Sequence, residues 1–151
     1  MSQWEVELDF QRFIQPANPA TRDTHVPGGE AGWVQTDKNG DAFIKVLWTS
    51  GDSGGWAVLY RFSKGYTAPA HKHLGAIHTY IISGRLQVSD AILAAGDYQY
   101  EANGVIHDTT VALEDTVYLN IADGPIVIFG EAGFQYYVGW EQMLKLQRSQ
   151  H

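Results

Sequence analysis

GYTAPAHKHLGAIHTYIISG, residues 65–84, holds three of the chain's six histidines, His71, His73 and His78, between two glycines. In an extended chain side chains alternate between two faces, so His71 and His73 point the same way and can approach one ion or one ligand together. The run that follows, IHTYIIS (77–83), is rich in β-branched and aromatic residues, and Gly84 separates it from a second such run, RLQV (85–88). The pattern continues outward in both directions. Upstream lie AFIKVLWT (42–49) and GWAVLYRFS (55–63); downstream lie DYQYE (97–101), VIHDTTVAL (105–113), TVYLNIA (116–122) and IVIFG (126–130). Glycine or Asp/Asn turns such as KNGD (38–41) separate them, which is the rhythm of an all-β sandwich or barrel.

Within GWAVLYRFS the residues Trp56, Val58, Tyr60 and Phe62 share one face, which is therefore the core face, and only Leu59 interrupts the smaller or polar series opposite. GDSGG (51–55) reads as a hairpin turn. It lacks the Lys-Ser/Thr and the helix of a phosphate loop, and although Gly51–Gly55 spells GxSxG, Ser53 sits in a turn between two strands without a nearby histidine in sequence, not at the strand-to-helix turn of a hydrolase nucleophile. Residues 1–32 contain PANPA (16–20) and VPGG (26–29), turn chemistry that suits an N-terminal arm with one or two short strands; residues 33–151 are then a single domain. EQMLKLQRSQ (141–150) has strong helix formers without glycine or proline, and is expected to lay Met143, Leu144 and Leu146 on the outside of the barrel.

A chain of 151 residues with 44% hydrophobic residues is long enough to bury one core. The net charge of -7 repels phosphate backbones and anionic lipid, so neither nucleic acid nor a membrane surface is an expected partner. There is no cysteine, which excludes disulfides, thiolate nucleophiles and sulfur-ligated metal centres. No apolar run approaches the roughly 18 residues of a membrane span, and Glu5, Glu7, Asp9 and Arg12 interrupt any signal-peptide core. The expectation is a cytoplasmic protein whose metal, if it has one, is held by nitrogen and oxygen.

An HxH pair alone does not separate a metal site from solvated surface histidines. A third ligand must come from a distant part of the chain, and His107, at the end of GDYQYEANGVIH (96–107), is the interior candidate besides His25 and His78. Neutral imidazoles suit zinc, copper, iron and nickel.

The two glycine-histidine blocks resemble the two cupin motifs, GxxxxxHxHxxxxExxxxxxG and GxxxxxPxGxxH. Gly65–Gly84 follows the first, except that His78 stands for the glutamate and the segment to the closing glycine is one residue short; Gly96–His107 follows the second with Ala102 for its proline. The similarity is closer to the ChrR-like cupin branch that contains acetylacetone dioxygenase and 2,4'-dihydroxyacetophenone dioxygenase. It is carried by HKHLGAIHTYIISGRLQV (71–88), YEANGVIHDTT (100–110), DTVYLNIADGPIVIFG (115–130) and the pair Gly139 and Trp140. The resemblance implies a single all-β cupin (RmlC-like) β-barrel or jelly roll with an N-terminal arm and a short C-terminal helix. It implies His71, His73 and His107 as ligands of a non-haem iron(II), with zinc, manganese or nickel as ions the same site can take. His78 is then either a fourth ligand or a hydrogen-bonded pocket wall.

The same resemblance places Glu101 where the branch has an acidic pocket residue, able to take or relay a substrate proton; otherwise Glu101 is a solvated strand-end carboxylate. Tyr80, Tyr98, Tyr100 and Tyr118 are expected to line the mouth and bind substrate, unless they serve as core. The implied activity is dioxygenase cleavage of a carbon-carbon bond in a small β-diketone or hydroxyketone, with that carbonyl compound and dioxygen as partners, in a homodimer or homotetramer. Two other classes compete: a zinc-binding, ligand-sensing or regulatory cupin without oxygenase activity, and a sugar isomerase on the same barrel.

Overall fold

The computed structural model describes residues 22–150. In chain order its strands are β1 (Val34–Gln35), β2 (Ala42–Thr49), β3 (Trp56–Phe62), β4 (Thr67–Ala68), β5 (His71–His73), β6 (Ile77–Ser83), β7 (Arg85–Val88), β8 (Ala91–Ala94), β9 (Tyr98–Glu101), β10 (Ile106–His107), β11 (Thr110–Ala112), β12 (Thr116–Ala122), β13 (Ile126–Gly130) and β14 (Gly133–Val138), followed by helix α1 (Trp140–Arg148). They form a cupin jelly roll of three sheets: β1-β2-β3-β12-β6-β9, β10-β5-β13-β14 and β4-β11-β7-β8, every pairing antiparallel.

The alternation read from GWAVLYRFS holds: Trp56, Val58 and Phe62 are buried and Tyr60 is half-buried beside them. Two core clusters follow. One gathers Phe62, Ile81, Leu86, Val88 and Tyr118; the other gathers Ile44, Val46, Trp56, Val58, Ile77 and Met143. Removing each such large side chain from water contributes about 1.5–3 kcal/mol. Trp56 also needs a polar partner, and its indole N–H donates to the Gly124 carbonyl at 3.0 Å.

Gly84, which closes the first histidine block, has φ +83°, and a Cβ there would run into the Asp115 carbonyl and the Thr116 side chain. The β6–β7 corner thus needs a residue without a side chain. The register of β2 on β3 shifts between Val46 and Trp48, and the Gln150 side chain meets the Val46 backbone there, accepting from its N–H at 2.7 Å and donating to its carbonyl at 3.4 Å. This fastens the end of α1 to the sheet. Met143, in the second core cluster, is inserted into the interior, whereas the expectation was a helix resting on the barrel's outer surface.

Residues 1–21 of the expected arm lie outside the described residues, and the short strands expected in it are not found between residues 22 and 33. That stretch is held by side chains of the first sheet. The Lys45 ammonium donates to the Pro27 carbonyl at 2.9 Å and to the Gly29 carbonyl at 3.4 Å, and Arg61 pairs with Glu30 at 2.9 Å.

Candidate metal centre

The third histidine reaches the first two through strand register. β10 pairs antiparallel with β5 so that His107 lies directly opposite His71, while Lys72 opposes Ile106 and is exposed. Directly paired residues project to the same face. Parity within β5 sends His73 to that face as well. The ring centroids of the three lie 4.9–5.3 Å apart, and one ligand nitrogen from each falls within 4.8 Å of the others.

The electrostatics favour lone pairs over protons. Burial, together with the charge of neighbouring histidines, pushes His73 and His107 down to about 4, and burial also lowers His71. All three are therefore neutral near pH 7, the form that ligates metal. Two of their nitrogens, Nδ1 of His73 and Nε2 of His107, are buried without a hydrogen-bond partner. Orphaned buried imidazole nitrogens are costly, and a cation held by the cluster would satisfy any that face it. His71 is already oriented, since its Nδ1 lies 2.8 Å from the Pro69 carbonyl and its Nε2 is left for a ligand role.

Glu101 sits beside this cluster, 7% exposed, with Oε1 3.4 Å from His107 Nε2. Burial pushes its carboxyl up to about 7, against the lowering effect of the Thr79 hydroxyl, which donates to Oε2 at 2.9 Å. Thr79 Oγ1 also lies 2.8 Å from Oδ1 of Asn120, a neighbour in β12, so the carboxyl belongs to a buried polar chain. His71, His73, Glu101, Thr79 and Asn120 face a cavity of about 230 Å³. Tyr60, Phe62, Tyr66 and Tyr118 form its aromatic wall with ring centroids 4.5–5.6 Å apart, and among the described residues neither lysine nor arginine lines it.

The structure brings together His71, His73, His107 and Glu101, and places Tyr118 in the cavity wall. It does not bring the other four there. In β6 the buried residues are Ile77, Thr79 and Ile81, so His78 and Tyr80 project from the opposite face. His78 Nδ1 lies 2.7 Å from the Tyr98 hydroxyl, and Tyr80, Tyr98 and Tyr100 are 45–57% exposed. Neither the fourth-ligand nor the pocket-wall reading of His78 fits that side of the sheet. Counted back from Gly84, the glutamate position of the motif falls on Ile77, a buried apolar residue lining the cavity; the missing residue of the motif lies before that position, not after it.

Tyr60, Tyr66, Tyr136, Thr79 and Asn120 line the cavity without having been singled out for the site. Tyr60 and Thr79 carried a usable signal, since each shares strand parity with buried neighbours. Asn120 carried the same signal, two residues from Tyr118 in β12, whereas Tyr66 and Tyr136 depend on pairings that no local pattern encodes.

Residues 21–127 match the ChrR cupin-like domain family, a span covering well over half of the sequence. The chain belongs to this family. As a ChrR-like cupin it is similar in structure to an acetylacetone dioxygenase from Acinetobacter johnsonii, with TM-score 0.80, 16% identity, and coverage of 91% of this chain and 99% of that one. It is similar to an RmlC-like cupin protein from Ralstonia eutropha, with TM-score 0.75, 20% identity, and coverage of 84% and 86%. It also resembles the anti-sigma ChrR of Rhodobacter sphaeroides, solved in complex with SigE, with TM-score 0.54, 26% identity, and coverage of 62% and 50%. No curated protein matches the chain. Among the described residues no helix is long and apolar enough to cross a membrane.

Proposed function

We propose that this ChrR-like cupin is a non-haem iron(II) dioxygenase that cleaves a carbon-carbon bond of a small β-diketone or hydroxyketone. The observation that carries this reading is a group of three neutral histidines, with no carboxylate in it among the described residues, of which His71 and His73 open on a cavity that holds one buried carboxyl at its polar end and aromatic rings elsewhere. Iron(II) on three imidazoles would keep positions open for a chelating enolate and for dioxygen. His71, His73 and His107 would hold the ion. Glu101, able to gain or lose a proton near neutral pH, would accept the acidic proton of a diketone or hydroxyketone.

Tyr118, Tyr60 and Phe62 would pack against the uncharged remainder of the substrate. Among the described residues no lysine or arginine lines the cavity, which suits an uncharged substrate better than a carboxylated or phosphorylated one. The similarity to acetylacetone dioxygenase supports this reading at the level of the fold. The similarity to ChrR favours a second, a zinc-binding regulatory cupin in which the same histidines hold a non-catalytic ion. For either reading a homodimer or homotetramer is proposed, in keeping with the exposed apolar side chains Tyr80, Ile82, Tyr98 and Tyr100 on the outer face of β6 and β9.

Oxygen uptake by iron(II)-loaded protein across β-diketones and hydroxyacetophenones, with His107→Ala as control, separates the two. Substrate-dependent uptake that the control lacks supports the dioxygenase. Full iron occupancy without uptake on any of them would transfer the assignment to the regulatory cupin.

A further inference from the structure

The β7–β8 hairpin turns through two residues, Ser89 and Asp90, because Val88 pairs with Ala91. Among the described residues Ser89 is the one non-glycine residue with positive φ, at +52°. A two-residue hairpin with positive φ at its first central position ordinarily carries glycine there, since a side chain in that conformation is strained. Ser89 is also held firmly, with its N–H donating to the Thr109 carbonyl at 2.8 Å and its carbonyl accepting from the Gln87 side chain at 3.1 Å. The strain is therefore tolerated within a fixed backbone, a circumstance that points from geometry to a use for the side chain.

That side chain meets the candidate metal centre. Ser89 Oγ lies 3.2 Å from Nδ1 of His107, whose other nitrogen, Nε2, is the buried atom without a hydrogen-bond partner. For Nε2 to offer a lone pair the ring proton must sit on Nδ1, and the imidazole N–H then donates to the serine oxygen. We propose that Ser89 is a positioning residue for the metal centre: by accepting the Nδ1 proton it holds the His107 ring in the tautomer and orientation that present Nε2 beside His71 and His73. His71 has an equivalent partner in the Pro69 carbonyl, so two of the three rings are set from behind. The inference rests on the reading that the three histidines hold a metal.

The test is zinc(II) affinity of the full chain, measured by competition with a chromophoric chelator, together with thermal unfolding of the metal-free protein, for wild type, Ser89→Gly and Ser89→Ala. Both variants lose the hydroxyl, but only glycine relieves the backbone. Expected are a Kd for zinc weakened about 10–100-fold in both, and a metal-free Tm for Ser89→Gly at or above that of wild type and above that of Ser89→Ala. A variant that is no less stable yet binds metal more weakly cannot be explained by loss of fold. Wild-type affinity in both variants overturns the role of Ser89 and leaves the metal reading standing. Weakened binding in Ser89→Ala alone overturns it too, because strain would then be the cause. A wild-type protein that takes up no zinc overturns the metal reading itself and this role with it.

Discussion

Replacing Glu101 by glutamine should change how stability depends on pH, in a direction and amount that follow from its burial. In the folded, metal-free protein the Glu101 carboxyl is raised from 4.5 to about 7, chiefly by desolvation. A carboxyl with a raised folded-state value binds its proton more tightly folded than unfolded. Its contribution to stability is therefore fully present below pH 4.5 and is lost as the pH climbs to about 7. At about 1.4 kcal/mol per pH unit, that window corresponds to a loss of about 3 kcal/mol. Glutamine is neutral throughout, and its carbonyl can still accept the Thr79 hydroxyl.

The histidines act in the opposite sense, since His73 and His107 are lowered to about 4 and so add stability as the pH rises toward their ordinary range. They are present in both proteins, so the difference between wild type and variant isolates the carboxyl. Urea denaturation of chelator-treated protein at several pH values between 4.5 and 7.5 measures it. The Glu101→Gln protein should gain on wild type by about 3 kcal/mol across that range, with the change flattening above pH 7. A difference between the two proteins that stays constant with pH would refute the idea that burial holds this carboxyl near neutrality.

His73→Ala should lose the bound metal, whereas His78→Ala should retain full stoichiometry by elemental analysis, because His78 projects from the other face of β6; metal loss in the second variant would contradict that orientation. Gly84→Ala should lower stability by at least about 2 kcal/mol, read by denaturant unfolding, since φ is +83° and Cβ meets the Asp115 carbonyl. Thr79→Val removes the hydroxyl that holds the Glu101 titration down, so the carboxyl should titrate at a higher pH in the metal-free variant when followed by carbon NMR. An unchanged titration would show that the hydroxyl does not matter. Trp56→Ala should cost about 3–5 kcal/mol by thermal or denaturant unfolding, as its side chain is fully buried and hydrogen-bonded.

What could be read without coordinates depended on how far each signal reaches along the chain. Strand parity is local, and it correctly put His71 beside His73 and Trp56 beside Val58. It also sets His78 apart, because Ile77, Thr79 and Ile81 form the apolar or small series that faces inward, and this parity outweighs the match of His78 to a motif glutamate. The exposed tyrosines follow from the same parity, since Tyr98 pairs with Tyr80 and Tyr100 with His78 across the β6–β9 ladder.

Contacts between distant strands are a different matter. His107 meets His71 because a two-residue strand lands in one register out of several, and Tyr136 reaches the cavity on β14, a strand whose side chains are largely exposed and therefore carry no burial pattern. Short edge strands such as β4 and β10 add few apolar residues, so tertiary pairing, not propensity, determines them. Ser89 belongs to the same class: a serine in a turn is unremarkable by composition, and it stands out only when its φ and its distance to an imidazole are known together. The residues that local chemistry identifies here are those that would bind the ion, while those that orient them and shape the cavity are supplied by register.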